Sequence, residues 1–594
     1  MAKNQTSNDR KWTLNRRRFL KTAGLVSLGT LAAIACRSNG KEVATTLDGT
    51  IVLDEERTLL AGPGEPHEVR TDLTEAKAGR EKGRRSLAVF HHFSDFRIVD
   101  EESPLRSEWV ESCEPALSTG AFRPHEALSL HAAAAMIAAA NQIDRSPVTG
   151  RPVDFALHTG SAVDNAHYNE SRWFIDLMDG KFVEPDSGSP GYEGVQSESP
   201  VSAYGDLLEQ AQQPFQGQPL RYPWYAVAGN RDLLAQGNFP SSEAAQGLSH
   251  GTQKVIELGP DAREEVCAEP AALLGPDSSE KVLNDPETVV RQVSPDGDRR
   301  LLTRKDWIEE HFKTADNPGP LGHGFRDENR QAGTAYYVLE HQPIAFIVLD
   351  TVNPGGFSAG SIDATQFVWL EEQLKARSSH YVAADSSTAA SEAADRLIVV
   401  VSHHGGAALN NPFPDPQTNE DRFRGPQLEA LLHRFPNVIL HIAGHTLEHR
   451  ISARPDPAGD RGGYWELTTG SPLDYPMQSR LLEVADNSDG TISLFSTAYD
   501  MAAPIVPGDA KDQTPDDGLN QILLASVARA AAVRDPQLNL EAAGLAPSDR
   551  NAELLLTAPF DLAAVRTPPH RQPPAAVARR MTRRSIVTLF LPPP

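Results

Sequence analysis

The sequence predicts an α/β protein organised around a mostly parallel sheet. Short apolar runs of strand length recur along it, each closes on a cluster of polar residues, and segments with helical spacing lie between them. The first run, Ser86 to Phe90 (SLAVF), leads into His91-His92-Phe93-Ser94-Asp95. Residues 125–142 are alanine-rich with apolar positions at helical spacing, the usual crossover between parallel strands. A second strand, Val153 to His158, ends at Thr159-Gly160-Ser161, and a third, Trp224 to Ala228, ends at Gly229-Asn230-Arg231-Asp232. Later strands are expected over Ala345–Asp350, Arg396–Ser402 and Val438–Ala443. In such sheets the site lies beyond the carboxyl ends of the strands, where these polar clusters fall.

The chain of 594 residues can bury a large core, and 39% hydrophobic with 23% charged residues is a soluble globular composition. A formal charge of −24 argues against nucleic acid as a standing partner, because phosphate backbones are bound by basic faces. Residues 15–21 read NRRRFLK, followed by an apolar run from Ala23 to Ala35 and then Cys36. A basic region, a short hydrophobic stretch and a small-residue end make an export signal over 1–36, too short to span a bilayer. Arg16-Arg17 ahead of Phe19-Leu20-Lys21 resembles the twin-arginine signal, making that export machinery the expected partner. Cys36 is either a lipoprotein attachment cysteine, hence the membrane anchor, or lies beside a plain cleavage site. Either way the mature protein is expected in the periplasm or at the cell surface.

Beyond a polar segment (37–85), the core region is expected over 86–500. A Gly/Pro/Ser/Glu-rich loop at 181–220 and a cap-like insertion at 233–335 interrupt it. Residues 501–565 form a C-terminal extension and 566–594 a Pro/Arg-rich tail. The two other cysteines, Cys113 and Cys267, permit one disulfide or two unpaired buried thiols.

The strand-end segments SDFRIVD, TGSAVDN, GNRD, SHHGG and GHTLEH resemble, in order and spacing, the calcineurin-like metallophosphoesterases. Members of that family place Asp-x-His, Gly-Asp-x-x-Asp, Gly-Asn-His-Asp/Glu, a lone His and Gly-His-x-His at successive strand ends. SDFRIVDEESP, DATQFVWLEEQL and YWELTTGSPLDYPMQSRLLEV resemble a large exported subfamily of it. The resemblance implies a layered sheet sandwich flanked by helices, with a cap-like insertion. It also implies hydrolysis of a phosphate ester by two metal ions that bind phosphoryl oxygens and activate a water. Iron, manganese or zinc suits such oxygen and imidazole ligands.

Carried over residue by residue, the pattern is only partly kept. Asp95 stands at the first metal's carboxylate, but Arg97 occupies its histidine position and Leu447 the position of the final histidine. Ser161 replaces the bridging aspartate, and Arg231 the catalytic histidine. Asn230, His403 and His445 remain for the second metal, so the resemblance implies one ion rather than two. Arginine cannot ligate a cation, but its guanidinium can hold phosphate. Arg97, Arg231 and His404 are therefore the phosphate-binding candidates, although Arg97 could instead pair with Asp95 or Asp100. Asp164 and Asp232 match positions that orient neighbouring groups. His92 and His158 are expected to be structural, Asp474 and Gln478 to border the pocket. A shift in register could bring His449, Glu448 or Asp100 inward.

Three functions follow. The chain is a phosphoesterase of the cell envelope working with one metal and arginine assistance, a non-catalytic relative that binds a phosphorylated small molecule or nucleotide, or a structural protein with a vestigial site. Its enzymatic standing stays open at this level, because the bridging aspartate and catalytic histidine are replaced.

Overall fold

The computed structural model describes residues 45–106, 108, 121–195, 207–268, 282–314, 317–459, 462–507, 521–535, 537–540 and 544–564. The expected signal, Cys36, Cys113 and the tail lie outside these. Among the described residues, no helix is long and apolar enough to cross a membrane.

Two sheets form the body of this α/β fold. The strands of the first are β1 (Glu68–Arg70), β2 (Arg85–Phe93), β3 (Phe155–His158) and β4 (Trp224–Ala226). Those of the second are β5 (Tyr337–His341), β6 (Ile344–Val348), β7 (Leu397–Val401), β8 (Val438–Ala443), β9 (Arg450–Pro455) and β10 (Gly463–Thr468). The chain then returns to the first sheet through β11 (Gln478–Asp486), β12 (Thr491–Asp500) and β13 (Ala552–Thr557). The seven-stranded sheet has the order β1-β13-β12-β11-β2-β3-β4, and the six-stranded sheet β5-β6-β7-β8-β10-β9. Neighbours β2, β3 and β4 run parallel, as do β6, β7, β8 and β10. All six strands expected from the sequence are present, and the long antiparallel pairing of β11 with β2 and β12 joins them. The sheet draws β1 from the expected polar segment and β13 from the expected C-terminal extension.

The parallel strands are apolar on both faces because both faces are covered. Along β6, Phe346 and Val348 face the first sheet, while Ile347 and the following Leu349 pack under helices Ala364–Lys375 and Gly425–Leu432. β7 alternates likewise, Val399 and Val401 against Ile398 and Val400. The alanine-rich helix Ser129–Gln142 packs with helix Gln521–Ala532 against the first sheet. Between the sheets, Phe90 stacks on Phe155 at 5.1 Å and meets Phe346 edge-on at 5.3 Å. Near the sandwich flanks, Trp465 Nε1 donates to the Leu555 carbonyl (3.1 Å) and Tyr337 Oη to that of Ala226 (2.9 Å), each bond crossing from one sheet to the other.

The insertion at 233–335 is not a detached cap. Its helix Arg304–His311 buries Trp307 and Ile308 in the main core against helix Tyr168–Met178. The 181–220 loop carries a short strand pair, Phe182–Val183 with Phe215–Gln216, and helix Leu207–Ala211. Cys267 is disulfide-bonded, so it is not the free thiol left open above.

Phe90 links the two sheets through a buried aromatic cluster, so Phe90→Ala should cost about 3–5 kcal/mol of stability. Urea unfolding would read this as a lowered midpoint; an unchanged midpoint would mean that the cluster does not hold the sandwich together.

Candidate metal centre

The carboxyl ends of β2, β3 and β4 from one sheet and of β7 and β8 from the other meet at one edge of the sandwich. Each delivers one loop. Asp95 and Arg97 follow β2, Ser161 and Asp164 follow β3, and Asn230 to Asp232 follow β4. His403 and His404 follow β7, and His445 follows β8. These loops are tightly wound. Asp95, Arg97, Ser161, His445 and Leu447 all have φ between 48° and 71°. Such left-handed conformations cost about 1–3 kcal/mol each in residues with side chains, and they concentrate at functional sites. Gly444 has no alternative, since a Cβ there would lie 1.7 Å from Ser94 Oγ.

Asp232 ties the loops of β3 and β4 together. Its carboxylate accepts the backbone N–H groups of Ser161, Ala162 and Gly229, each at 2.8 Å. Burial pushes this carboxyl up to about 7 against the pull of those bonds.

The retained ligand positions converge. His403 Nδ1 lies 2.7 Å from the Thr159 carbonyl, which only accepts, so the proton is on Nδ1. Burial, reinforced by His404, holds His403 well below the ordinary histidine range, so the ring is neutral and Nε2 is a bare lone pair. That lone pair faces Asn230 Oδ1 at 2.9 Å, another acceptor. Turning the amide gains nothing, because Nδ2 donates to the Gly237 carbonyl at 2.8 Å and the conflict would move there. His445 Nδ1 comes to 3.3 Å from the same His403 nitrogen, and Ser161 Oγ to 3.1 Å of it and 3.5 Å of Asn230 Oδ1. Burial and His403 also hold His445 well below its ordinary pKa. Two acceptors facing each other, with a second imidazole nitrogen and a hydroxyl beside them, are donors of the type that fits a bound metal ion.

His404 differs, although its ring lies within 4.8 Å of this group. Its Nε2 donates to the Ser358 carbonyl (2.9 Å) and its Nδ1 accepts from Thr351 Oγ1 (2.8 Å). Neither nitrogen is left for phosphate or metal. Instead the ring lies against that of His445, 4.4 Å between centroids.

At the position where the sequence placed a first metal, the side chains are engaged with one another. Asp95 Oδ2 accepts from Ser94 Oγ (2.6 Å) and the His445 N–H (2.8 Å), and Oδ1 from Arg97 at 3.4–3.5 Å. The sequence placed Asp95 among metal ligands; in the structure it buttresses the His445 loop and pairs with Arg97. Leu447 offers no donor, and His449 does not replace it, since its Nδ1 is bonded to Arg480 (2.7 Å) and the Gly470 N–H. Asp100 is likewise engaged, by Asn169, Ser187 and Arg299.

Guanidinium groups surround this position. Arg231, 7% exposed, pairs with Asp164, which also takes Arg106 at 2.6 Å. Burial, then the nearby Arg97, pushes Arg231 down to about 9. Burial alone would raise Asp164, but Arg231 and Arg106 hold it below the ordinary carboxylate value. Desolvation alone would raise the half-buried Asp474, yet Arg123 at 2.6 Å and nearby Arg97 bring it to about 2. Arg106 and Arg123 had no motif to single them out. Gln478 turns from the pocket to Asp500, and His92 is held by Thr159 and Thr469. His158 lines a small internal cavity with Phe174 and His311.

No family model matches the sequence, and no curated protein does. Among solved structures, a dimetal phosphatase from Danio rerio is 12% identical and aligns over 70% of this chain and 100% of its own, with a TM-score of 0.30. A purple acid phosphatase from yellow lupin (Lupinus luteus) seeds is 11% identical over 74% of this chain, with a TM-score of 0.24. The chain spans about half (55%) of the lupin protein's length. At these scores neither likeness bears on the chemistry of the site.

Asp232→Asn keeps the shape but turns an amide N–H₂ toward backbone N–H groups. Unsatisfied buried donors should then cost about 1–3 kcal/mol or more, read as a lower thermal midpoint. An unaltered midpoint would show that the two loops do not depend on this carboxylate.

Proposed function

We propose that the chain is a metal-dependent phosphoesterase of the cell envelope that holds one iron, manganese or zinc ion on Asn230, His403 and His445. The facing lone pairs of His403 Nε2 and Asn230 Oδ1, 2.9 Å apart, carry this reading. When bound, the metal would polarise a phosphoryl oxygen and lower the pKa of a water. Arg97 supplies positive charge where a second ion would sit. Its bonds to Asp95 are long, 3.4 and 3.5 Å, so a phosphoryl oxygen can compete for the same guanidinium. Arg231 contributes to the same field from its pair with Asp164. The basic stretch at Arg16-Arg17 and the apolar run after it support placing the protein outside the cytoplasm.

Arg231 stands where a histidine would protonate the leaving oxygen. An arginine held at about 9 has no proton to give at neutral pH without losing its pair with Asp164. The departing oxygen therefore leaves as an anion, and esters of acidic alcohols such as phenols should react fastest.

Two measurements test this. Metal content of the purified protein should be one equivalent per chain, and Asn230→Ala should lower it. Two equivalents would refute the mononuclear site, and none would remove the enzyme reading. Hydrolysis rates across a phosphomonoester series should climb steeply as the leaving group's pKa falls. Ser161, lacking a bridging carboxylate, favours a second reading in which phosphate is bound without turnover. That reading wins if p-nitrophenyl phosphate binds but is not cleaved, while Ser161→Asp with Arg97→His and Arg231→His gains hydrolysis.

A further inference from the structure

Two phenylalanines stand in water where burial would be expected. Phe357 is 55% exposed and Phe413 49%, and their rings stack on each other with centroids 5.0 Å apart and planes 21° from parallel. Leaving two such rings half-solvated forgoes favourable burial, so a fixed exposed pair calls for a partner.

The pair is held rigidly. Phe357 has φ 66°, a left-handed conformation rarely adopted by a bulky residue. The buried amide of Asn353 donates to the Phe413 carbonyl (2.9 Å). That of Asn411 donates to the carbonyls of Gly356 (2.8 Å) and Ala359 (3.1 Å). The loops bearing the two rings are thereby locked to each other.

The pair is also tied to the metal centre from two sides. The Phe357 N–H donates to the Asn238 carbonyl at 2.6 Å, and Asn238 follows Gly237, whose carbonyl orients Asn230. The next residue, Ser358, accepts from His404, whose ring supports His445. The backbone of Phe357 thus lies next to contacts that reach both sides of the ligand set, while its ring is more than half exposed.

We infer that Phe357 and Phe413 form a stacking platform beside the centre, which selects phosphate esters whose alcohol part carries a planar ring, aryl or nucleoside phosphates. This rests on the phosphoester reading above and deepens it. The ring of the alcohol lies against the outer face of the pair, by offset stacking as aromatic surfaces prefer, while the phosphoryl group reaches the metal and Arg97.

The test is calorimetric titration of the full, metal-loaded chain with phenylphosphonate and with methylphosphonate, neither of which is hydrolysed. Phenylphosphonate should bind about tenfold more tightly, the scale of one ring stacked on an aromatic side chain. In Phe357→Gly and in Phe413→Leu that ratio should fall towards one. Phe357→Gly relieves the left-handed backbone, so its thermal midpoint should hold and a folding defect cannot mimic the result; Phe413→Leu keeps apolar bulk and removes only the ring. Equal affinities in the unaltered protein would overturn the platform and leave the phosphoester reading standing. A ratio that persists in both variants would also overturn it, placing ring recognition elsewhere. Failure of both phosphonates to bind would sink both readings together.

Discussion

The site depends on one carboxylate that stands outside the convergent Asn230, His403 and His445 side chains. Asp232 gathers three backbone N–H groups from two different strand-end loops, each at 2.8 Å. Neighbouring parallel strands leave their C-terminal amides pointing outward without partners, and a compact anion is the least bulky group that can satisfy several at once. With Ser161 and Gly229 pinned to it, Asn230 and Ser161 are brought within reach of His403, which arrives from the opposite sheet. The left-handed backbone at Asp95, Ser161 and His445 persists because bonds of this kind over-determine it.

Around that frame, a removable charge is exchanged for permanent ones. Arg97 lies on Asp95, Arg231 on Asp164, and Arg123 on Asp474. Each guanidinium is matched by a carboxylate, so this half of the pocket is balanced without an ion, and no chelator can strip its positive groups. A metal position needs its ligands deprotonated and unpaired; here Asp95 has given its lone pairs to hydrogen-bond donors instead. The two halves therefore differ in kind. One gathers imidazole and amide acceptors, while the other is lined by paired guanidinium groups.

The strands of the parallel sheets were legible because their residues are apolar on both faces and stop abruptly at polar clusters. β11 and β12 were not. They lie in a stretch carrying Arg480, Glu483 and a run of serines and threonines, polar groups that the structure buries against one another and that hide the strand pattern. The convergence of Asn230, His403 and His445 followed from the order of their motifs, which fixes what comes to the edge. What each atom does there does not follow from order. His404 was expected to hold phosphate, but Thr351 and Ser358 occupy both of its nitrogens. Arg123 meets Asp474 at a sequence separation of 351, and no local pattern announces such a pair.

Strand β1 is only three residues long, yet it pairs with β13, so Glu68 lies beside Ala552. The register of the first sheet's edge joins the start of the fold to its far end. A chain emerging from the ribosome can assemble the second sheet early, since β5 to β10 are close in sequence. The first sheet must wait with an open edge until nearly the last strand is made. That edge carries unpaired backbone groups, the usual template for unwanted pairing between chains. Completion of this protein is thus a late, long-range event. A chain cut short before β13 would keep Asn230, His403 and His445 and still lack a strand of its first sheet.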